Sequence, residues 1–180
     1  MNKQRGFTII ELLIVIVVIA ILATISTVSF NGIQQRARNT QMVTVAKAYQ
    51  QALLLYAADG NPYPTTLALA PSFGQCLGNG YPSDRCWIGT NGNYKVEPLF
   101  DAVLKPYLNN TPSVPTKTYK ITSVDDRSGV VYFPDRSTGF PHIYYLLEGI
   151  NQNCQLSGAV ATNVGIGGTA TGCRIVLPQQ

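Results

Sequence analysis

One carboxylate stands alone in an apolar run. Glu11 is the only charged residue among the 24 from Phe7 to Phe30, and it follows Gly6 by five positions. A charge held at mid-bilayer costs on the order of 2–3 kcal/mol, so it exists for a reason. Other candidates for chemistry are few. Nucleophilic catalysis needs a base beside a serine or a thiol. His142 is the only histidine; it lies in a strand-like run between Pro141 and Ile143 and reads as a structural or surface residue. The stretch GIGGTATG (165–172) hints at a phosphate loop. It lacks a full GxGxxG, follows no clear strand and opens no helix, so it reads as a flexible loop. Asp125 and Asp126 are paired acids that turn chemistry explains.

The four cysteines, Cys76, Cys86, Cys154 and Cys173, form no CxxC pair. With a single histidine, that argues against a zinc site. Four cysteines allow three pairings. Cys76–Cys86 and Cys154–Cys173 are favoured, because each pair brackets a glycine-rich loop. Each could stabilise the fold by roughly 3 kcal/mol through loop closure. Disulfides imply export to an oxidising compartment.

The elements that must position these residues follow from composition and period. The 180 residues suffice for one domain with a core plus an appendage. Charged residues are 12% and hydrophobic ones 46%, against a usual charged share of about 25%. Such a chain suits a surface that meets membrane or other subunits. The net charge of +4 is scattered, with Arg36 and Arg38 the closest basic pair outside the first six residues. That pattern argues against nucleic acid as a partner. Ten tyrosines could stack on bases, but they fit a domain core or a subunit interface better. The chain contains no sequence repeat.

Residues 7–30 carry no proline or glycine. As a helix they rise about 36 Å, enough for a hydrocarbon core of about 30 Å. A signal peptide would fit in length but has poor small-x-small cleavage sites near Ala23, and a plain anchor leaves Glu11 unexplained. A third reading accounts for both Gly6 and Glu11. The stretch GFTIIELLIVIVVIAIL closely resembles the class III signal of type IV pilins and pseudopilins. That resemblance implies a 1–6 leader, cleavage between Gly6 and Phe7 by a prepilin peptidase, and N-methylation of Phe7. It makes Glu11 the family's glutamate, four residues and about 6 Å along the helix from the new amine. A first-turn carboxylate also suits the helix dipole. In a bundle, Glu11 of one subunit can meet the Phe7 amine of a staggered neighbour, each neutralising the other. One departure stands out: many relatives carry a proline in the second half of this helix, and TISTVSF has none.

The helix is expected to continue through an amphipathic half, 31–58. Met42, Val45, Tyr49, Leu53 and Tyr56 recur at steps of three and four. Gly60 and Pro62 end it. A helix from Phe7 to Ala58 would be about 78 Å long, more than a domain of this size can bury. Residues 59–116 read as a long connection rich in Pro, Gly and Asn, with a short helix at 97–108 bounded by Pro98 and Pro106. Residues 117–180 read as an antiparallel meander, with strands at 117–124, 129–134 and 142–149 and a turn DDRSG, then a last strand at 173–178.

The expected fold is α+β: a long N-terminal helix, half transmembrane and half amphipathic, packed on a small antiparallel head. The GNPYPTTLALA segment after the helix and the loop closed by Cys154 and Cys173 resemble features of the pilin fold. The resemblance implies a filament subunit rather than an enzyme. It implies an inner-membrane single-pass protein with its head outside the cytoplasm, and a place in an extracellular filament after assembly. Its partners would be copies of itself, the prepilin peptidase, an assembly platform and an ATPase motor. No cofactor is expected. Calcium is the one metal left open, since some pseudopilins hold it in C-terminal loops, though the EF-hand pattern is absent. The alternatives are a type II secretion pseudopilin, a minor tip pilin acting in adhesion or DNA uptake, and, last, a secreted enzyme.

Overall fold

The computed structural model describes residues 7–64, 74–90, 92–134 and 140–179, of which 26–29, 92 and 93 by backbone alone. Its first element is α1, Ile9–Ala58, 50 residues long. The chain divides into two compact units, residues 1–37 and 38–180.

Among its described residues, the first unit is helix from Ile9 onward, with its apolar side chains exposed. Phe7 is 87% exposed, and Ile9, Ile10, Leu12, Leu13, Ile14 and their successors through Ile25 are exposed as well. The span is long and apolar enough to cross a membrane, and none of its most apolar window is buried in the structure. An all-round apolar helix with no core around it needs lipid or other helices.

The second unit is built on the part of α1 that follows Arg38. Met42, Val45, Ala46, Tyr49, Ala52 and Leu53 are 2% exposed or less, the stripe that steps of three and four place on one face. Two antiparallel sheets meet it. The strands are β1 (Gln75–Leu77), β2 (Arg85–Gly89), β3 (Gly92–Lys95), β4 (Thr118–Lys120), β5 (Asp126–Ser128), β6 (Val130–Phe133), β7 (His142–Glu148), β8 (Val160–Val164) and β9 (Ala170–Val176). One sheet has the order β1-β6-β7-β9-β8, the other β3-β2-β5-β4. Along β7, Ile143, Tyr145 and Leu147 join the core that contains the α1 stripe. Leu146 faces away and meets Tyr119 of β4 and Ala170 of β9. The two-residue period thus serves two cores from one strand. The α+β architecture of long helix and antiparallel head is the expected one.

Several expected elements are redrawn. The connection read over 59–116 contains three strands, β1 to β3. Tyrosine, tryptophan and cystine pack them, and no alternating pattern announces them. The short helix is α2 (Pro98–Leu104), with Pro98 in its first turn and a 3-10 turn Lys105–Tyr107 after it. The strand expected at 117–124 stops at Lys120. Its turn is closed by the Ile121 and Thr122 amides donating to the Asp125 carbonyl. DDRSG is therefore not the turn: Asp126–Ser128 is β5, paired on both sides by β2 and β4. The expected meander is split between two sheets, because β4 pairs with β5 while β6 pairs with β7. The last strand begins at Ala170 and pairs with β8, inside the stretch read as loop.

Buried hydroxyls tie helix to sheet. The Gly78 amide donates to the Tyr49 hydroxyl at 2.9 Å, and Asp101 of α2 lies near enough for its carboxyl and that hydroxyl to influence each other. Burial pushes the Asp101 carboxyl up to about 6, with the nearby Tyr49 hydroxyl pulling the other way. Raised above its unfolded value, this group favours the fold at low pH, and the benefit is lost as pH rises through about 6. Discounted for partial exposure, ionising Asp101 costs roughly 1 kcal/mol, or about 2–4 °C in Tm. In thermal unfolding at pH 5 and pH 7.5, Asp101→Asn should remove that part of the pH dependence.

Candidate assembly site

The first turn of α1 completes its own hydrogen bonds. The Thr8 amide donates to Glu11 Oε2 at 2.7 Å, and the Thr8 hydroxyl donates to the same oxygen at 2.7 Å. The Glu11 amide donates back to Thr8 Oγ1 at 3.3 Å. This is a capping box, in which a threonine and a glutamate three residues on satisfy amides that the helix start leaves open. All of it is exposed. Both bonds to the carboxylate converge on Oε2; Glu11 Oε1 accepts none among the described residues. Phe7, Glu11, Leu12 and Val15 line a small surface hollow that is otherwise apolar.

The arrangement can hold a carboxylate, already oriented, at the end of an apolar helix. One oxygen is committed to the helix itself and the other is open to a cation. Phe7 and Glu11 are thus on one helix end, and Gly6 lies outside the described residues. The residue that sequence reasoning passed over is Thr8. Its signal was present as TIIE, the T-x-x-E pattern ahead of an apolar run.

The four cysteines lie in the second unit. Cys76 is bonded to Cys86 and Cys154 to Cys173, with Cα–Cα distances of 5.6 Å and 5.7 Å. The first bond joins β1 to β2 and so staples the two sheets together. The second fixes the loop after β7 to β9. His142 begins β7; its ring stacks on Phe133 at 5.0 Å between centroids, and its Nδ1 lies 3.3 Å from the Phe140 carbonyl oxygen. The GIGGTATG stretch is a hairpin turn and the start of β9, with positive φ at Gly165, Gly167 and Gly168. Asp125 is buried, with Oδ1 lacking a hydrogen-bond partner among the described residues. Among the described residues, no three His, Cys, Asp or Glu side chains come together as metal ligands would.

Residues 1–27 match the family model of the prokaryotic N-terminal methylation motif. The chain is 36% identical over 66 residues to the type II secretion system core protein G of Klebsiella pneumoniae, a match covering 37% of this chain and 47% of that protein. It is 38% identical over 65 residues to the protein of the same name from Escherichia coli K12, covering 36% of this chain and 45% of that one. The match thus spans about half the length of these curated relatives. No solved structure matches the chain.

Proposed function

We propose that this chain is a subunit of a pilus-like filament. It is trimmed between Gly6 and Phe7, methylated on Phe7, stored in the inner membrane through residues 7–30, and polymerised through that helix with the head outward. One observation carries the reading: a carboxylate oriented by its own capping box at the head of an apolar helical run that is exposed through Ile25. Such a helix is stable only in lipid or among its own kind, and Glu11 Oε1 suits the amine that cleavage would create on Phe7 of a neighbour. The methylation motif supports the trimming. In this reading the chain is a structural part rather than a catalyst. A prepilin peptidase would cut it, and an assembly platform with a cytoplasmic ATPase motor would raise it from the membrane.

The relatives favour one variant of the reading, a secretion pseudopilin in a short filament beneath the outer surface. Filament abundance on the cell separates that from a surface pilus. The test of the shared reading is intact-mass and N-terminal analysis of the protein from its own cells. A chain beginning at methylated Phe7 is expected. An uncut Met1, or a start near Ser26, would return the apolar segment to a plain anchor or a signal peptide.

A further inference from the structure

The two ends of the head differ in what they expose. At one end β7 finishes at Glu148 against the first turns of α1 in this unit. Arg38 Nη2 lies 2.7 Å from Glu148 Oε2. Asn39 donates to the Glu148 carbonyl and accepts from the Glu148 amide at 3.1 Å and 2.8 Å, as a strand neighbour would. At the other end, β7 begins at His142 and β9 finishes at Val176.

The Glu148 end presents two isoleucines on adjoining turns. Ile150 is 50% exposed and Ile166 52%. A Cβ on Gly168, in the Ile166 turn, would sit 3.2 Å from Ile150 Cγ2. Neither turn is loose. The side chains of Asn151 and Asn163 lock the first, the Asn151 amide donating to Asn163 Oδ1 at 2.8 Å and Asn163 Nδ2 to Asn151 Oδ1 at 2.7 Å. The Ile166 amide donates to the Lys120 carbonyl at 2.9 Å, pinning the second to β4. Beside Ile166 is an open hollow flanked by Lys117, Lys120, Glu148 and Thr169. Glu148 is answered by Arg38 and, at 3.6 Å, by Lys117. Lys120 stands opposite Asp126 in the β4–β5 register, so Arg38, Lys117 and Lys120 against Glu148 and Asp126 leave one net positive charge.

Rigid exposed isoleucines with two lysines beside Ile166 make a poor surface for water and a good one for the headgroup layer of an anionic bilayer. Apolar side chains enter that layer, and each nearby lysine adds attraction to lipid phosphate. Connectivity favours the same occupant: seven residues separate Arg38 from Phe30, the last residue of the apolar run.

We propose that the Ile150–Ile166 end of the head is a lipid-docking surface that rests on anionic phospholipid while the subunit is stored in the membrane. The proposal rests on the membrane-anchored reading above. Docking would hold the subunit out of polymer until lipid is exchanged for a neighbouring copy.

The test uses the full chain in phosphatidylcholine vesicles with and without phosphatidylglycerol, their acyl chains brominated near the headgroups. Ile166→Trp places a reporter on the surface, Val176→Trp places one at the far end, and the unsubstituted chain supplies the Trp87 background. Bromine quenching of the Ile166→Trp signal that depends on phosphatidylglycerol and fades in 1 M salt, where the screening length is about 3 Å, is expected, with Val176→Trp unquenched. Adding Lys120→Gln should lower the docked-to-free ratio about fivefold. Alkali-resistant sedimentation with the vesicles reports anchoring separately. If the chain is anchored and Ile166→Trp stays unquenched, or is shielded equally without phosphatidylglycerol in proportion to protein concentration, the proposal fails. In the second case the surface belongs to another copy. If the chain does not stay with the vesicles, it is the anchoring reading that fails.

Discussion

Glu11→Ala should leave trimming after Gly6 largely intact and lower filament formation at least tenfold, as counted by shearing and immunoblot of assembled against membrane-held subunit. Two contributions are lost together. The capping box costs about 1 kcal/mol when its acceptor goes, and that alone softens only the first turn. The larger part is charge. A neighbour's Phe7 amine brought into an apolar bundle with nothing opposite is an unpaired buried charge, and removing one partner of such a pair costs about 3–5 kcal/mol. Each 1.4 kcal/mol is about a factor of ten in an equilibrium, so assembly should fall far beyond the effect of the cap.

Glu11→Gln separates the two roles. A glutamine oxygen can still accept from the Thr8 amide and hydroxyl, so the first turn keeps its cap while the charge is gone. Thr8→Val does the reverse, keeping the carboxylate and removing the hydroxyl. If pairing governs assembly, Glu11→Gln resembles Glu11→Ala, and Thr8→Val loses much less. Normal filaments from Glu11→Gln would reduce Glu11 to a helix cap and remove the register argument with it.

What could be read in the chain beforehand depended on how local its cause was. The α1 stripe was legible because Met42, Val45, Tyr49 and Leu53 recur at the helix's own period, and a long helix repeats that signal many times. β7 was legible because HIYYLLE is rich in residues that suit a pleated, half-buried surface. β1, β2 and β3 are three to five residues each. Too short to show a period, they are strands because of what lies opposite. Trp87 packs edge-on against Tyr94 at 4.8 Å, the Arg127 guanidinium carbon sits 3.2 Å from the Trp87 ring centroid, and Cys76 is bonded to Cys86. β5 shows the same override. Asp126–Ser128 has turn composition, yet strands on both sides recruit its backbone. In the assembly site, Glu11 stood out because its surroundings are uncharged. Thr8 did not, because a threonine side chain matters there only through the two bonds its hydroxyl makes.

Gly129→Ala should destabilise the head by about 2–5 kcal/mol, enough to threaten a fold whose whole margin is typically about 5–15. The cause lies in Tyr81. Its hydroxyl donates to the Leu77 carbonyl at 2.6 Å and accepts from the Val130 amide at 3.1 Å, so one phenol bridges β1 and β6. Burial holds that phenol well above its usual titration range, and it stays a neutral donor. The ring reaches these partners by passing under Gly129, where a Cβ would overlap Tyr81 Cε1 and Oη. The backbone there has φ of +70°, which costs a residue with a Cβ about 1–2 kcal/mol by itself. The overlap adds about 1–3 kcal/mol of overpacking, since neither the strands nor the hydroxyl can give way without breaking a bond. Thermal or denaturant unfolding of the full chain in detergent measures the sum, and Tyr81→Ala apportions it. Neighbouring residues in contact are not additive. With the ring gone, Gly129→Ala should cost only the backbone part, about 1–2 kcal/mol. Equal costs in both backgrounds would mean that the positive φ alone requires glycine at 129, with Tyr81 no more than a bystander.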